Sequence, residues 1–153
     1  MTDNRIADST DLELLSFRLG GEDYSLDIMS VREIRGWTRA TPLPQAPPYM
    51  RGVINLRGTV LPVIDLAARL GMDPVEGAAR NAVVVAQSGP RCVGLLVDAV
   101  SDILALPRAE LQPPPALAAA NHGFVQAIAL VEGRMLRVLD LDAILPPAPA
   151  EAA

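Results

Sequence analysis

Residues 50–70 read MRGVINLRGTVLPVIDLAARL, and this stretch restricts the possible folds more than any other part of the chain. Two apolar, largely β-branched runs, 53–56 and 59–64, flank the polar pair Arg57-Gly58, which is the pattern of a β-hairpin with a tight turn. Gly58 supplies the positive φ that such a turn needs. Pro62 has no N–H to donate, so the second strand is expected to lie at an edge or a bulge there. Asp65 stands where a helix N-cap is wanted, ahead of a short helix over 66–70 that Gly71 closes at the C′ position.

The same plan returns at residues 127–145, AIALVEGRMLRVLDLDAIL: apolar strand, Gly turn, apolar strand, then an Asp entering a helical turn. Each of these hairpins is preceded by another. Residues 13–19 alternate like a strand, Gly20-Gly21 turns the chain, and 23–26 return. Residues 82–86 and 91–97 form a second strong hairpin about Ser88-Gly89. Asp27 and Asp98 follow the two leading hairpins as further candidate caps. Asp27 is expected to start a short helix with Ile28, Val31 and Ile34 on one face. Val100-Ser101-Asp102-Ile103 parallels Val31-Arg32-Glu33-Ile34. Residues 35–40 read as a further strand, 42–48 as an extended Pro-rich loop and 73–81 as a connection. Pro113-Pro114-Pro115 and the Ala-rich segment through His122-Gly123 form a second loop.

Two degenerate copies of one plan, built from short strands with Gly and Pro turns, point to a mainly β chain of two small barrels sharing a hydrophobic seam. The lobes are expected at roughly 12–75 and 80–146, with strands open to exchange between them. Residues 1–11 and 147–153 read as disordered ends. A groove between lobes is a preferred binding place.

Composition narrows the function. The chain has 153 residues, 50% of them apolar, which is enough for one sizeable core but not two independent ones. No apolar stretch approaches a bilayer-spanning length, and the polar, acidic start is neither a secretory signal nor an Arg-rich transit peptide. Cys92 is the only cysteine, so an internal disulfide and a Cys-rich zinc site are excluded. The expected location is cytoplasmic. A net charge of -5 argues against a phosphate-binding surface. All 13 basic residues are arginine, a side chain suited to bidentate contacts with carboxylates and favoured in protein interfaces.

No arrangement of residues reads as an active site. Cys92 sits mid-strand with no activating neighbour and reads as structural. His122, the lone histidine, lies in a loop and reads as solvated. No metal-ligand spacing and no phosphate-cradling glycine motif is present, so no metal and no cofactor is expected. Asp65 and Asp140 occupy equivalent positions of the repeat, which raises the remote possibility of a carboxylate-pair enzyme; equivalent capping accounts for them more simply. Trp37 and Tyr49 are placed either to anchor a protein partner or to cover a barrel edge.

The block RGVINLRGTVLPVIDL resembles the signature of the CheW family of bacterial chemotaxis coupling proteins. The likeness continues through EDYSLDIMSVREIRG upstream, and through RCVGLLVDAVSDILAL and GRMLRVLDLDAIL downstream, covering about residues 13–146 in the family's order and spacing. The resemblance implies two interlocked five-stranded SH3-like barrels and a non-catalytic adaptor. Such an adaptor joins the cytoplasmic tips of methyl-accepting chemotaxis receptors to the regulatory domain of a CheA-type histidine kinase. It implies a protein that is monomeric in isolation, binds no nucleic acid and does not insert into the membrane, but is recruited to receptor arrays. Alternation of like domains in rings uses two different surfaces per subunit. Carried over by position, the likeness places Val31, Glu33, Gly52, Asn55, Arg57, Val83, Val93, Val100 and Ile103 near the receptor or kinase contacts. Arg57, on a stiff turn, is exposed to accept a partner's carboxylate. Val31, Val93, Val100 and Ile103 are candidates to line an apolar groove for a helical receptor tip, although for each valine core packing serves equally well. Glu33 has the alternative of pairing with an arginine of its own chain. The segment Gln126-Ala127-Ile128-Ala129 departs from the Gly-rich opening common among relatives. An adaptor of the same fold in another chemosensory pathway, governing pili or gene expression, is the alternative within the family.

Overall fold

The computed structural model describes residues 11–114 and 123–146; the expected disordered ends outside that span, Pro115 and His122 lie outside the described residues. The described residues form strands β1 (Asp11–Leu19), β2 (Glu22–Asp27), β3 (Val31–Gly36), β4 (Met50–Leu56), β5 (Thr59–Asp65), β6 (Ala82–Ser88), β7 (Arg91–Val97), β8 (Ala99–Pro107), β9 (Val125–Val131) and β10 (Arg134–Leu139). Two short helices, α1 (Leu66–Arg69) and α2 (Leu141–Ile144), follow β5 and β10. Single 3-10 turns, Ile28–Ser30 and Arg108–Glu110, follow β2 and β8. Asp11, expected in a disordered end, opens β1.

The strands make two five-stranded sheets, in the orders β8-β1-β2-β10-β9 and β3-β6-β7-β5-β4. The repeat seen in the sequence is real at the level of strand order, but the lobes do not divide near residues 75–80. The leading hairpin of each copy has left its own copy. β1 and β2 pair with β8 and β10, while β6 and β7 pair with β3 and β5. Both exchanges end in a short parallel ladder, Val63↔Gly94 to Asp65↔Leu96 in one barrel and Leu136↔Asp23 to Val138↔Ser25 in the other. Each sheet then closes on itself. Thr41, beyond β3, exchanges two backbone bonds with Val53 of β4 at 2.8 and 2.9 Å; Gln112, beyond β8, does the same with Ile128 of β9 at 2.8 and 2.8 Å. We call the β8-containing unit barrel 1 and the β3-containing unit barrel 2.

The exchange explains the unbroken apolar runs. A strand with one wet face alternates in hydrophobicity; a strand covered on both faces need not. Leu12 and Leu14 of β1 pack with Leu136 and Val138 inside barrel 1. Leu15, Phe17 and Leu19 of the same strand join the larger core that also contains Val83, Val84, Val85, Leu95 and Leu96 of barrel 2. One continuous core therefore crosses the seam between the barrels.

Local elements follow their chemistry with three exceptions. Asp65 accepts from the Ala68 N–H at 3.0 Å and caps α1. The helix ends with Met72 N–H bonded to Ala67 O and Gly71 N–H to Ala68 O, a Schellman motif. Asp140 caps α2 through the Asp142 N–H at 3.1 Å. The first exception is the helix expected after Asp27. It is only a single turn, capped at Met29 N–H, and Val31 to Ile34 belong to strand β3. A bulge between Val31 and Glu33 changes the register against β6, so the i, i+3 spacing of Val31 and Ile34 is not a buried helical face. The strand expected over 35–40 likewise ends at Gly36. The second exception is Asp98, which caps no helix; its Oδ2 accepts from the Gly20 N–H at 2.8 Å, at the turn of the exchanged hairpin. The third is Pro62. Strand β5 is interior, between β7 and β4, but its ladder with β7 begins only at Val63. Pro62 thus occupies the last position at which that side of the strand needs no donor.

Gly52 is fixed by barrel closure. Its φ is +139°, and a Cβ there would overlap the Thr41 carbonyl and lie 2.9 Å from Pro42 N. Gly52→Ala should cost about 2 kcal/mol or more, because the added methyl strikes backbone in a conformation that side chains resist. Urea unfolding checks this; an unchanged midpoint would show that the Thr41–Val53 closure is not needed.

Candidate protein-binding site

The β4–β5 hairpin turns through Arg57 (φ 53°) and Gly58 (φ 86°), so both central residues are left-handed, as in a type I′ turn. Gly58 meets its expectation. Arg57 goes beyond it, since a non-glycine residue at positive φ costs of the order of 1 kcal/mol and is concentrated at functional positions. The equivalent hairpin of barrel 1 repeats the geometry with Glu132 (φ 52°) and Gly133 (φ 79°). Asn55 braces the first turn from within: its Oδ1 accepts from the Gly58 N–H at 2.8 Å while the residue remains exposed.

The Arg57 side chain is 69% exposed and forms an ion pair with Glu33 of β3. Arg35 lies 3.8 Å from the other Glu33 oxygen. The hydrogen bond from Arg57, and then its charge with those of Arg35 and Arg32, hold the Glu33 carboxyl below the usual carboxylate range. Glu33 in turn holds the Arg57 guanidinium even more firmly in its charged form. The structure thus brings Glu33, Asn55 and Arg57 together at one end of barrel 2.

The other expected contact residues divide by burial. Ile103 on β8 is 57% exposed. Val31 and Val100 are half-buried and pack against the shared core. Val83 and Val93 are buried on β6 and β7, whose two faces are covered by barrel interior and seam, so their side chains are not offered to a partner. Val83 also stands where a Cβ on Gly94 would meet it at 2.8 Å, which marks how closely those strands pack. Gly52 is buried with its backbone role already described. The apolar groove drawn through Val31, Val93, Val100 and Ile103 is therefore not one continuous exposed lining.

The aromatic residues cover rather than project. The Arg51 guanidinium lies 5.8 Å from the Trp37 ring centroid, and that of Arg69 lies 4.5 Å from Tyr49 and 4.9 Å from Phe124. Asp65, the carboxylate that raised an enzymatic reading, is 2% exposed and fully engaged. Besides its cap it accepts from Arg51 Nε and Nη2, each at 3.2 Å, and from the Val75 N–H at 3.0 Å. Arg51 also donates to the Val75 carbonyl. This knot ties β4, α1 and the 73–81 connection together. No pattern in the sequence announced it: Arg51 opens the motif block without any sign of its partner, and Val75 lies beyond the block in the connection. Cys92 is half-buried against the core. Among the described residues no cluster of His, Cys, Asp and Glu has the arrangement to hold a metal, and no helix is long and apolar enough to cross a membrane.

The Glu33–Arg57 pair carries a pH signature. The folded-state pKa of Glu33 lies below that of the free side chain, so the pair's contribution is complete at neutral pH and is lost as the pH falls through the lowered value. Carboxyl NMR should place the Glu33 midpoint below the ordinary glutamate range, and Arg57→Ala should move it back up. Equal midpoints in the two proteins would mean that the pair is not formed in solution.

Comparison with known proteins agrees with this architecture. The family model described as CheW-like domain matches residues 13–148. The chain is 50% identical over 142 residues to the chemotaxis protein CheW of Rhizobium meliloti, covering 92% of each. It is also 50% identical over 144 residues to a probable chemotaxis protein CheW of Rhizobium etli, covering 94% of this chain and 93% of the relative. Its fold superposes on the crystal structure of the scaffolding protein TtCheW from Thermoanaerobacter tengcongensis with a TM-score of 0.82 at 30% identity, over 88% of each chain. With its interlocked barrels and its NLRG hairpin, the chain belongs to the CheW-like family of chemotaxis scaffold proteins.

Proposed function

We propose that this chain is a non-catalytic adaptor that couples the cytoplasmic tips of methyl-accepting chemotaxis receptors to the regulatory domain of a CheA-type histidine kinase. The observation that carries the reading is the Arg57 turn. A charged, largely exposed guanidinium stands on a strained two-residue turn, braced by Asn55 on one side and Glu33 on the other. Stability alone does not call for an arginine there. An Asn at Arg57 would restore the preferred Asn-Gly pair of a type I′ turn, and an exposed ion pair contributes only about 0–1 kcal/mol. Presentation of a fixed cation to a partner's carboxylate accounts for the strain. Ile103 and Val100 on barrel 1 provide apolar surface for a second contact, on the barrel that does not carry the Arg57 turn, while Val31 adds apolar surface on barrel 2. Recruitment to receptor arrays follows from such contacts and needs no membrane insertion.

Stability and coupling separate at this turn. Arg57→Asn should unfold within about 0.5 kcal/mol of wild type. Both Arg57→Asn and Arg57→Glu should weaken capture of the kinase regulatory domain or of a receptor cytoplasmic fragment about tenfold or more, as loss of a central arginine contact does. Pull-downs with each partner, alongside urea unfolding, check this. Full binding to both partners by folded Arg57→Glu would remove the turn from the interface, and wild type binding neither partner would overturn the adaptor reading.

A further inference from the structure

The two copies of the repeat meet at one residue that breaks their likeness. Position by position, Tyr49 corresponds to Phe124: each lies just ahead of the first strand of a trailing hairpin. Each backbone carbonyl accepts from the capping aspartate of its copy, Asp65 N–H to Tyr49 O at 2.8 Å and Asp140 N–H to Phe124 O at 2.8 Å. Four residues past each cap stand Arg69 and Ile144. Ile144 is fully buried in the shared core, as this position requires when it faces the seam. Arg69 instead carries its guanidinium across the seam.

There it lies over both equivalent rings, 4.5 Å from the Tyr49 centroid and 4.9 Å from that of Phe124. Its Nε donates to the Ile144 carbonyl at 2.7 Å and its Nη2 to the Ala143 carbonyl at 3.3 Å. These carbonyls end helix α2, where intrahelical partners run out. One arginine of barrel 2 thus grips a ring from each copy and the terminal helix of barrel 1. Two further bonds from the β6–β7 hairpin end on the same segment: Ser88 Oγ to the Asp142 carboxylate, and Arg91 to the Pro146 carbonyl. The apolar seam is non-directional; this grip is directional, with a planar fork fixed against two carbonyls and two rings.

We propose that Arg69 is a clamp that sets the angle between the two barrels by holding the turn after β10 against barrel 2. The clamp does not rest on the adaptor reading. It fixes how any surface on barrel 1 is oriented with respect to the Arg57 turn on barrel 2.

The test uses the full chain as wild type, Arg69→Met, which keeps the apolar stem, and Arg69→Lys, which keeps a cation over the rings but loses the fork. In wild type, residual dipolar couplings from both barrels should fit one alignment tensor. In Arg69→Met the barrels should need separate tensors. Amides of Ile144 and Leu145 should exchange about tenfold faster or more, the scale of a lost charge-assisted bond, while β6–β7 and β1–β2 keep their protection. Arg69→Lys should fall between, and it decides the matter should Arg69→Met fail to fold. A single tensor with unchanged exchange at Ile144 and Leu145 in the folded variants would overturn the clamp. So would an even loss of protection across both barrels, which would make Arg69 an ordinary contributor to stability.

Discussion

The structure depends on the reciprocal parallel pairing of β5 with β7 and of β10 with β2. Each ladder is only three residue pairs long, yet each joins strands from different copies of the repeat. Without them each leading hairpin would be held only by β8 or β3 on one side, and β2, β7 and the trailing strands β5 and β10 would be left with open edges. With them each barrel closes, and neither barrel can close from one copy alone. Exchange also places β1, β6 and β7 between two apolar layers, which is why the larger core continues across the seam onto β1, beside a separate small cluster inside barrel 1. The ladders bring together segments distant in sequence, so their loop-closure entropy is met only when both barrels form.

What was legible in the sequence were the features written in neighbouring residues. Arg57-Gly58 and Glu132-Gly133 announce two-residue turns, and Asp65 and Asp140 announce caps, because turn and cap chemistry is settled within four residues. The repeat itself was legible from the recurrence of strand, Gly turn, strand and Asp. Short strands with Gly and Pro turns pointed to two small barrels, and the likeness to one family added that they are five-stranded and interlocked. The partner of each strand beyond its own hairpin was not legible. Nothing in ELLSFRL says that its second neighbour is VSDILAL rather than another strand of its own copy, since backbone pairing is blind to side-chain identity on that scale. Asp98 looked like a cap because it follows a strand as Asp27 does; in the fold its carboxylate is claimed by the Gly20 N–H, 78 residues away in the chain. Val31 and Ile34 carry helical spacing by coincidence with a bulge. Arg69 gave no signal, for an arginine in the last turn of a short helix is ordinary until the second barrel is in place.

The candidate site shows the same division. Arg57 and Asn55 were found through the hairpin and the family likeness, and the structure adds why they work as a unit: Asn55 holds the turn that points Arg57 outward. Glu33 had two readings, and the ion pair with Arg57 gives it a place in the chain's own electrostatics. Val83 and Val93 show the limit of carrying positions over by likeness. A residue carried over as near a contact is either part of that surface or part of the buried layer beneath it, and proximity to a contact does not distinguish the two. Burial does.

Strand exchange makes the two barrels one cooperative folding unit. Equilibrium urea unfolding, followed in one sample set by Trp37 fluorescence for barrel 2 and by the amide resonances of Ile128 and Ala129 for barrel 1, tests it most directly. Interlocked barrels predict coincident transitions with one midpoint and one slope. Separate midpoints, with one barrel persisting after the other has unfolded, would contradict it.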